Sequence, residues 1–141
     1  RMTEWLQSLE RSAQDLASCG IDPSRLCVET LDYPFELVDP IVARHGLSIC
    51  LDAGHLAFYD YPLDDYLARY GSQSRVVHLH GHRDGMDHKD ISALPEAFLN
   101  TLMTHLCRSG EPERVLTLEI FGQADFARSL ERMKELCLST R

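Results

Sequence analysis

The chain has 141 residues, 22 acidic against 14 basic, so its formal charge is −8, and 44% of its residues are hydrophobic. That is enough for one domain with a real core, but not for a complete (β/α)8 barrel, which needs roughly 200 to 250 residues. The acidic balance, with no run of Lys or Arg, argues against non-specific nucleic-acid binding. A phosphate-bearing ligand would need positive charge from elsewhere, and metal ions are one source.

No apolar stretch approaches the roughly 18 residues of a membrane span, and nothing resembles a signal peptide. Cys19, Cys27, Cys50, Cys107 and Cys137 are odd in number and contain no C-x-x-C pair, which reads as reduced, mostly buried thiols of a cytosolic protein. Arg1 is not a translation start, which opens the reading that the chain is a piece of a longer protein.

In chain order, a helix is predicted from about Thr3 to Ser18, with Leu6, Leu9, Ala13 and Leu16 on one stripe and Gly20 past its end. The run Leu26 to Thr30 has the length of a buried strand. A second helix, Asp39 to His45, offers Asp39 as N-cap, Pro40 at the first helical position and Gly46 as terminator. Strand Leu47 to Leu51 and a short helix from Pro62 to Tyr70, stopped by Gly71, come next. Strand Arg75 to Leu79 leads to a helix over Pro95 to Arg108 that ends at Gly110. Strand Val115 to Ile120 is followed by a helix beginning after Asp125 and burying Phe126, Leu130 and Met133. This α/β alternation predicts four parallel strands with crossover helices, a sheet covered on both faces, and a single domain over residues 1–141.

The strands end on polar residues: Cys-Val-Glu29, Cys-Leu-Asp52-Ala-Gly-His55, Val-His78-Leu-His80-Gly and Thr-Leu-Glu119. Ligand sites of parallel α/β sheets lie at the carboxyl ends of the strands, so these tips converge. By strand alternation Glu29 shares a face with Cys27, Asp52 with Cys50, His78 with Val76 and His80, and Glu119 with Thr117. Val28, Leu51, Val77, Leu79, Leu118 and Ile120 take the other face, suited to packing under helices. Carboxylates and imidazoles without thiolate suit zinc, manganese, magnesium or iron. Residues Gly81 to Lys89 contain two glycines and no apolar periodicity and read as a loop, to which Asp87 and His88 add a carboxylate and an imidazole. Taken singly, His55 or His80 is more often a hydrogen-bonded core histidine than a ligand. His45 and His105, near helix C-termini, read as structural, and His82 and Asp84 as solvated loop residues.

Together these motifs resemble the second half of the xylose-isomerase-like TIM barrel superfamily, which includes endonuclease IV-type enzymes and sugar isomerases and epimerases. D-x-x-H (Asp52 to His55) is the most specific of them. The combination of LDAGH, HLHG and G-x-D-H looks most like the cobamide-remodelling phosphodiesterases within it. The resemblance implies that the whole chain is the C-terminal half of a (β/α)8 barrel, strands five to eight with their helices. It also implies that Glu29 bridges metals, that Asp52, His78 and Glu119 complete a central site, and that His55, Asp87 and His88 bind an additional ion. His80 stands as a substrate contact or extra ligand. The sequence departs from the pattern in two ways. Asp87 and His88 are adjacent, where the family has a residue between them and adjacent side chains diverge. The histidine ligands that endonuclease IV-like members supply from strands two and three lie outside this chain.

Two enzyme readings follow. One is a divalent-metal-dependent phosphodiesterase (zinc, manganese or iron) in which Glu29 or Glu119 orients the attacking water, with the nucleotide loop of a cobamide as the implied substrate. The other is a sugar or sugar-phosphate isomerase or epimerase, in which one metal on Glu29, Asp52, His78 and Glu119 polarises the substrate and the two glutamates exchange a proton. A third reading is a binding barrel without turnover or an inactive fragment. The unpaired edge of the first strand would meet the missing N-terminal half-barrel or a second copy of the chain.

Overall fold

The computed structural model describes residues 1–108 and 113–139. Helix α1 (Met2–Ser18) precedes strand β1 (Cys27–Glu29), and α2 (Asp39–His45) leads into β2 (Ser48–Asp52). Helices α3 (Ala53–Phe58) and α4 (Leu63–Tyr70) separate β2 from β3 (Ser74–Leu79). Strands β4 (Gly81–Arg83) and β5 (Met86–Lys89) precede α5 (Glu96–Leu106), β6 (Val115–Leu118) and α6 (Gln123–Ser139). The helix end expected at Gly110 lies outside the described residues.

Four strands form one parallel sheet in the order β1-β2-β3-β6, with Glu29 opposite Cys50, Asp52 opposite His78, and His78 opposite Thr117. The strand order never reverses, and right-handed crossovers in one direction place their helices on one side. Ile49, Leu51, Val77 and Leu79 fill that side, buried with Phe35, Val38, Leu56, Tyr70, Leu99 and Leu102. The expectation of a sheet covered on both faces holds for β2, which is buried along its length, and fails at the edge strands, where Cys27, Val115 and Thr117 on the opposite face are exposed.

Local corrections have local causes. Val38, not Asp39, is the N-cap of α2; Asp39 sits in the first turn, where its charge suits the helix dipole, and Gly46 closes the helix at φ 64°. Helix α6 is rotated from the expected stripe. Ser129, Met133 and Leu136 face inward, while Phe126 and Leu130 are exposed. Ser129 sets that rotation, because its hydroxyl accepts from the Ile91 N–H at 3.0 Å and donates to Asp90 at 3.2 Å. Leu16 of α1 is exposed as well. Of the five cysteines only Cys50 is buried, contrary to the expectation of mostly buried thiols. Among the described residues no helix is long and apolar enough to cross a membrane.

Candidate metal centre

Residues 81–89 are not a loop but a hairpin. Asp84 and Gly85 turn the chain with φ 54° and 72°, the conformation that makes Asp-Gly a strong two-residue hairpin signal. Gly81 pairs with Lys89 and Arg83 with Met86, so β5 carries one residue more than β4. This is a bulge, a device that re-aims side chains. His88 sits in it at φ 54°, a left-handed conformation uncommon outside glycine. Extended backbone would send Asp87 and His88 to opposite sides. Here Asp87 Oδ1 lies 2.9 Å from His88 Nδ1, so the adjacency that set this sequence apart from the family pattern does not separate the two groups.

Asp52 ends β2 and begins α3 without a loop. Its Oδ1 accepts from the His55 N–H at 2.8 Å, capping α3. Its own N–H donates to the buried Thr30 hydroxyl at 2.9 Å. The cap brings His55 back over the strand tip, with Nδ1 2.8 Å from Asp52 Oδ2. His78, one strand over, has Nδ1 2.9 Å from both Glu29 Oε1 and Glu119 Oε2 and 3.8 Å from Asp52 Oδ2. His55 Nε2 reaches Asp87 at 3.5 Å, and His88 Nε2 reaches Glu119 at 3.7 Å. All seven residues expected as ligands, Glu29, Asp52, His55, His78, Asp87, His88 and Glu119, are therefore linked by close approaches.

His80 is fully buried. Its Nδ1 accepts from the His88 N–H at 3.1 Å, its Nε2 lies 3.3 Å from Asp52, and its ring stacks on His88. That burial leaves it a ligand or a support for Asp52 and His88, with no face for substrate. Gly54 makes room for it: a Cβ there would fall 2.4 Å from the His80 ring. Gly54→Ala is expected to cost about 1–3 kcal/mol of stability and to weaken metal binding, measured by denaturant unfolding and metal titration of the same variant. His45 meets Glu10 at 3.4 Å and His105 packs against Gly71, each in the last turn of its helix. His82 lies edge-on to Phe58, and Asp84 is exposed in the hairpin turn.

The donor set fits a divalent cation. Asp52 Oδ2, His55 Nδ1, His80 Nε2 and Glu119 Oε2 are buried without a hydrogen-bond partner of acceptable geometry, although Asp52 Oδ2 and His55 Nδ1 nearly touch. A bound cation would offset the buried carboxylate oxygens and give an imidazole nitrogen a partner. Orphaned buried polar atoms are otherwise costly. Ligand atoms of Glu29, Asp52, His78 and Glu119 lie within 4.8 Å of one another, as do those of His55, His80 and His88, and of Glu29, Cys50 and His78.

Protonation follows the crowding. Burial and then the Asp52 charge hold the Glu29 carboxyl above its usual range, against the pull of His78. For Asp52 burial acts upward, but the nearby His80 ring and the bond from the His55 N–H outweigh it and the net shift is down. His80 is the counterpart: burial acts downward, Asp52 outweighs it, and the imidazole is raised. The His88 ring lowers Asp87. Burial, then Glu29 and Asp52, push the Cys50 thiol up, which leaves it protonated beneath the site.

Sequence reasoning missed Thr30, which holds the Asp52 backbone, and Tyr33, whose hydroxyl donates to the Glu29 carbonyl at 2.5 Å. It also missed the rings of Tyr59 and Phe121, which stack on His55 and His88. Thr30 follows the β1 tip directly and Tyr33 lies four residues past Glu29, which is the available signal. A cleft of about 560 Å³ between α4 and α5, lined by Asp64, Asn100, Thr104 and Arg108, contains none of these ligand groups.

Fold and site thus define an α/β protein with a four-stranded parallel sheet whose strand tips carry His, Asp and Glu groups able to hold a metal ion. Comparison with family models, curated proteins and solved structures gives no match.

Proposed function

We propose that this chain is the later half of a (β/α)8 barrel and carries most of the divalent-metal centre of a phosphodiesterase, with zinc, manganese or iron as the ion. The nucleotide loop of a cobamide is the substrate suggested by the sequence motifs. The observation that carries the hydrolase reading is the second ligand group. Asp87 and His88, on a bulged hairpin with His88 left-handed, and His55, turned back by the Asp52 cap of α3, are brought beside Glu29, Asp52, His78 and Glu119. Paired ion sites a few ångströms apart suit in-line displacement at phosphorus, and left-handed backbone at a non-glycine residue tends to persist where a site needs it.

When bound, divalent ions supply Lewis acidity, neutralising phosphoryl oxygens and lowering the pKa of a water. The chain's own residues position the reactants. Glu29 and Glu119 flank His78 with partly exposed carboxylates, placed to orient a water and accept its proton. Asp52, fully buried, links the two groups. His80 holds Asp52 from beneath. Four negative charges, on Glu29, Asp52, Asp87 and Glu119, repel a phosphate until cations offset them.

The flanking of His78 by two glutamates also suits the isomerase or epimerase reading, which needs only the first group. His88→Ala separates the two readings. Hydrolysis of bis(p-nitrophenyl) phosphate is expected to fall at least about 100-fold, with one ion fewer per chain. A variant that keeps its full metal content and turns over ketoses as the parent does would contradict the phosphodiesterase. The exposed outer strands, β1 and β6, are where the first half of the barrel or a second copy would pair. A clean monomer at high micromolar concentration by light scattering would remove the second copy.

A further inference from the structure

Three planar rings are piled from the core to the solvent beside the ligand groups. Buried His80 stacks on His88 with centroids 4.2 Å apart and planes 18° from parallel. His88 in turn stacks on Phe121 at 4.4 Å and 13°. Phe121 is 78% exposed. Its inner face is covered by an imidazole of the proposed centre, and its outer face is open. On the other flank Tyr59, 41% exposed, stacks on His55 at 5.8 Å. Scattered surface hydrophobics are ordinary. An aromatic ring held parallel to a ligand imidazole, two residues after Glu119 and with one face free, is a preformed stacking surface.

We propose that Phe121 is a substrate-binding platform, and that the phosphoester this site takes carries a planar aromatic group that continues the His80–His88–Phe121 stack. The inference rests on the metal-hydrolase reading and deepens it by naming the substrate class. The anionic phosphoryl end lies toward the carboxylates and their cations, and the ring lies on the outer face of Phe121. An aliphatic ester would bind through its phosphate alone. The acidic surroundings add no attraction for extended polyanions, so the aromatic part belongs to a small molecule.

The test uses 3-phenylpropylphosphonate, whose spacer lets ring and phosphoryl group reach the outer face of Phe121 and the ions together, and propylphosphonate; each is titrated calorimetrically into the zinc-loaded chain, with zinc content measured for each variant. The phenyl-bearing phosphonate is expected to bind about tenfold tighter. Phe121→Leu, which keeps apolar bulk without a ring, is expected to remove most of that preference while propylphosphonate affinity moves less than about twofold, and Phe121→Trp is expected to retain the preference. Equal affinities in the parent would overturn the proposal, as would an undiminished preference in Phe121→Leu. If neither phosphonate binds, the anion-binding metal centre fails and the platform fails with it, an outcome distinct from equal binding of both.

Discussion

Asp52→Asn is expected to lower divalent-metal affinity by at least about 100-fold and to reduce phosphodiester hydrolysis to background, while the metal-free fold stays within about 1 kcal/mol of the parent. The split follows from the two oxygens of Asp52. Oδ1 caps α3 by accepting the His55 N–H and faces His80, and asparagine keeps that acceptor as one of the best N-caps. Oδ2 approaches His55 and His78 without a hydrogen bond, and an amide NH2 in its place presents hydrogens where a cation needs a lone pair. Asp52→Ala removes both functions. It is expected to cost about 2–4 kcal/mol, because the cap is lost and buried His80 keeps no acidic partner. Equilibrium metal titration and urea unfolding of the two variants check this. A Asp52→Asn protein that binds metal as the parent does would mean Oδ2 is not a ligand.

The second large effect comes from the metal itself. Three carboxylates, Glu29, Asp52 and Glu119, crowd around His78, and without a cation they repel one another. A divalent ion at about 1,000 times its dissociation constant stabilises the fold by about 4 kcal/mol, which for a domain of this size raises Tm by about 14 °C. Chelation should reverse the rise. The pH dependence has a definite sign. Glu29 is held above its usual range, so in the metal-free chain the stability linked to its proton is present at low pH and lost as pH rises through the folded value. Asp52 is lowered, so its contribution is present above the unfolded value and lost as pH falls through the folded one. Metal ligands must shed their protons. The thermal shift on adding zinc should therefore grow from pH 5 to pH 7, and a shift that shrank over that range would count against carboxylate and imidazole ligation.

Much of the site was legible in the sequence because strand geometry dictates it. Period-two alternation and the rule that ligands gather at carboxyl ends placed Glu29, Asp52, His78 and Glu119 together, and the register of Asp52 opposite His78 agrees. What lay beyond reach depends on contacts between distant segments. Helix α3 was hidden because Ala53-Gly54-His55 reads as a strand tip until Asp52 is seen to cap it. Asp84-Gly85 carries the turn signal of the β4–β5 hairpin, but Asp87-His88-Lys89 has no apolar alternation, so the segment resembles a loop. Left-handed backbone at His88 has no signature in composition; it goes with the bulge and with the bond from its N–H to His80. The inward face of α6 was displaced because a serine, not an apolar residue, anchors it to Asp90 and Ile91.

The most direct measurement is the metal content of the chain after equilibrium dialysis against micromolar zinc or manganese, compared with that of Asp52→Asn and His88→Ala. Two ions per chain in the parent, one in His88→Ala and none in Asp52→Asn are the expected results. A parent chain that retains no ion would contradict the metal centre, and with it the proposed hydrolysis.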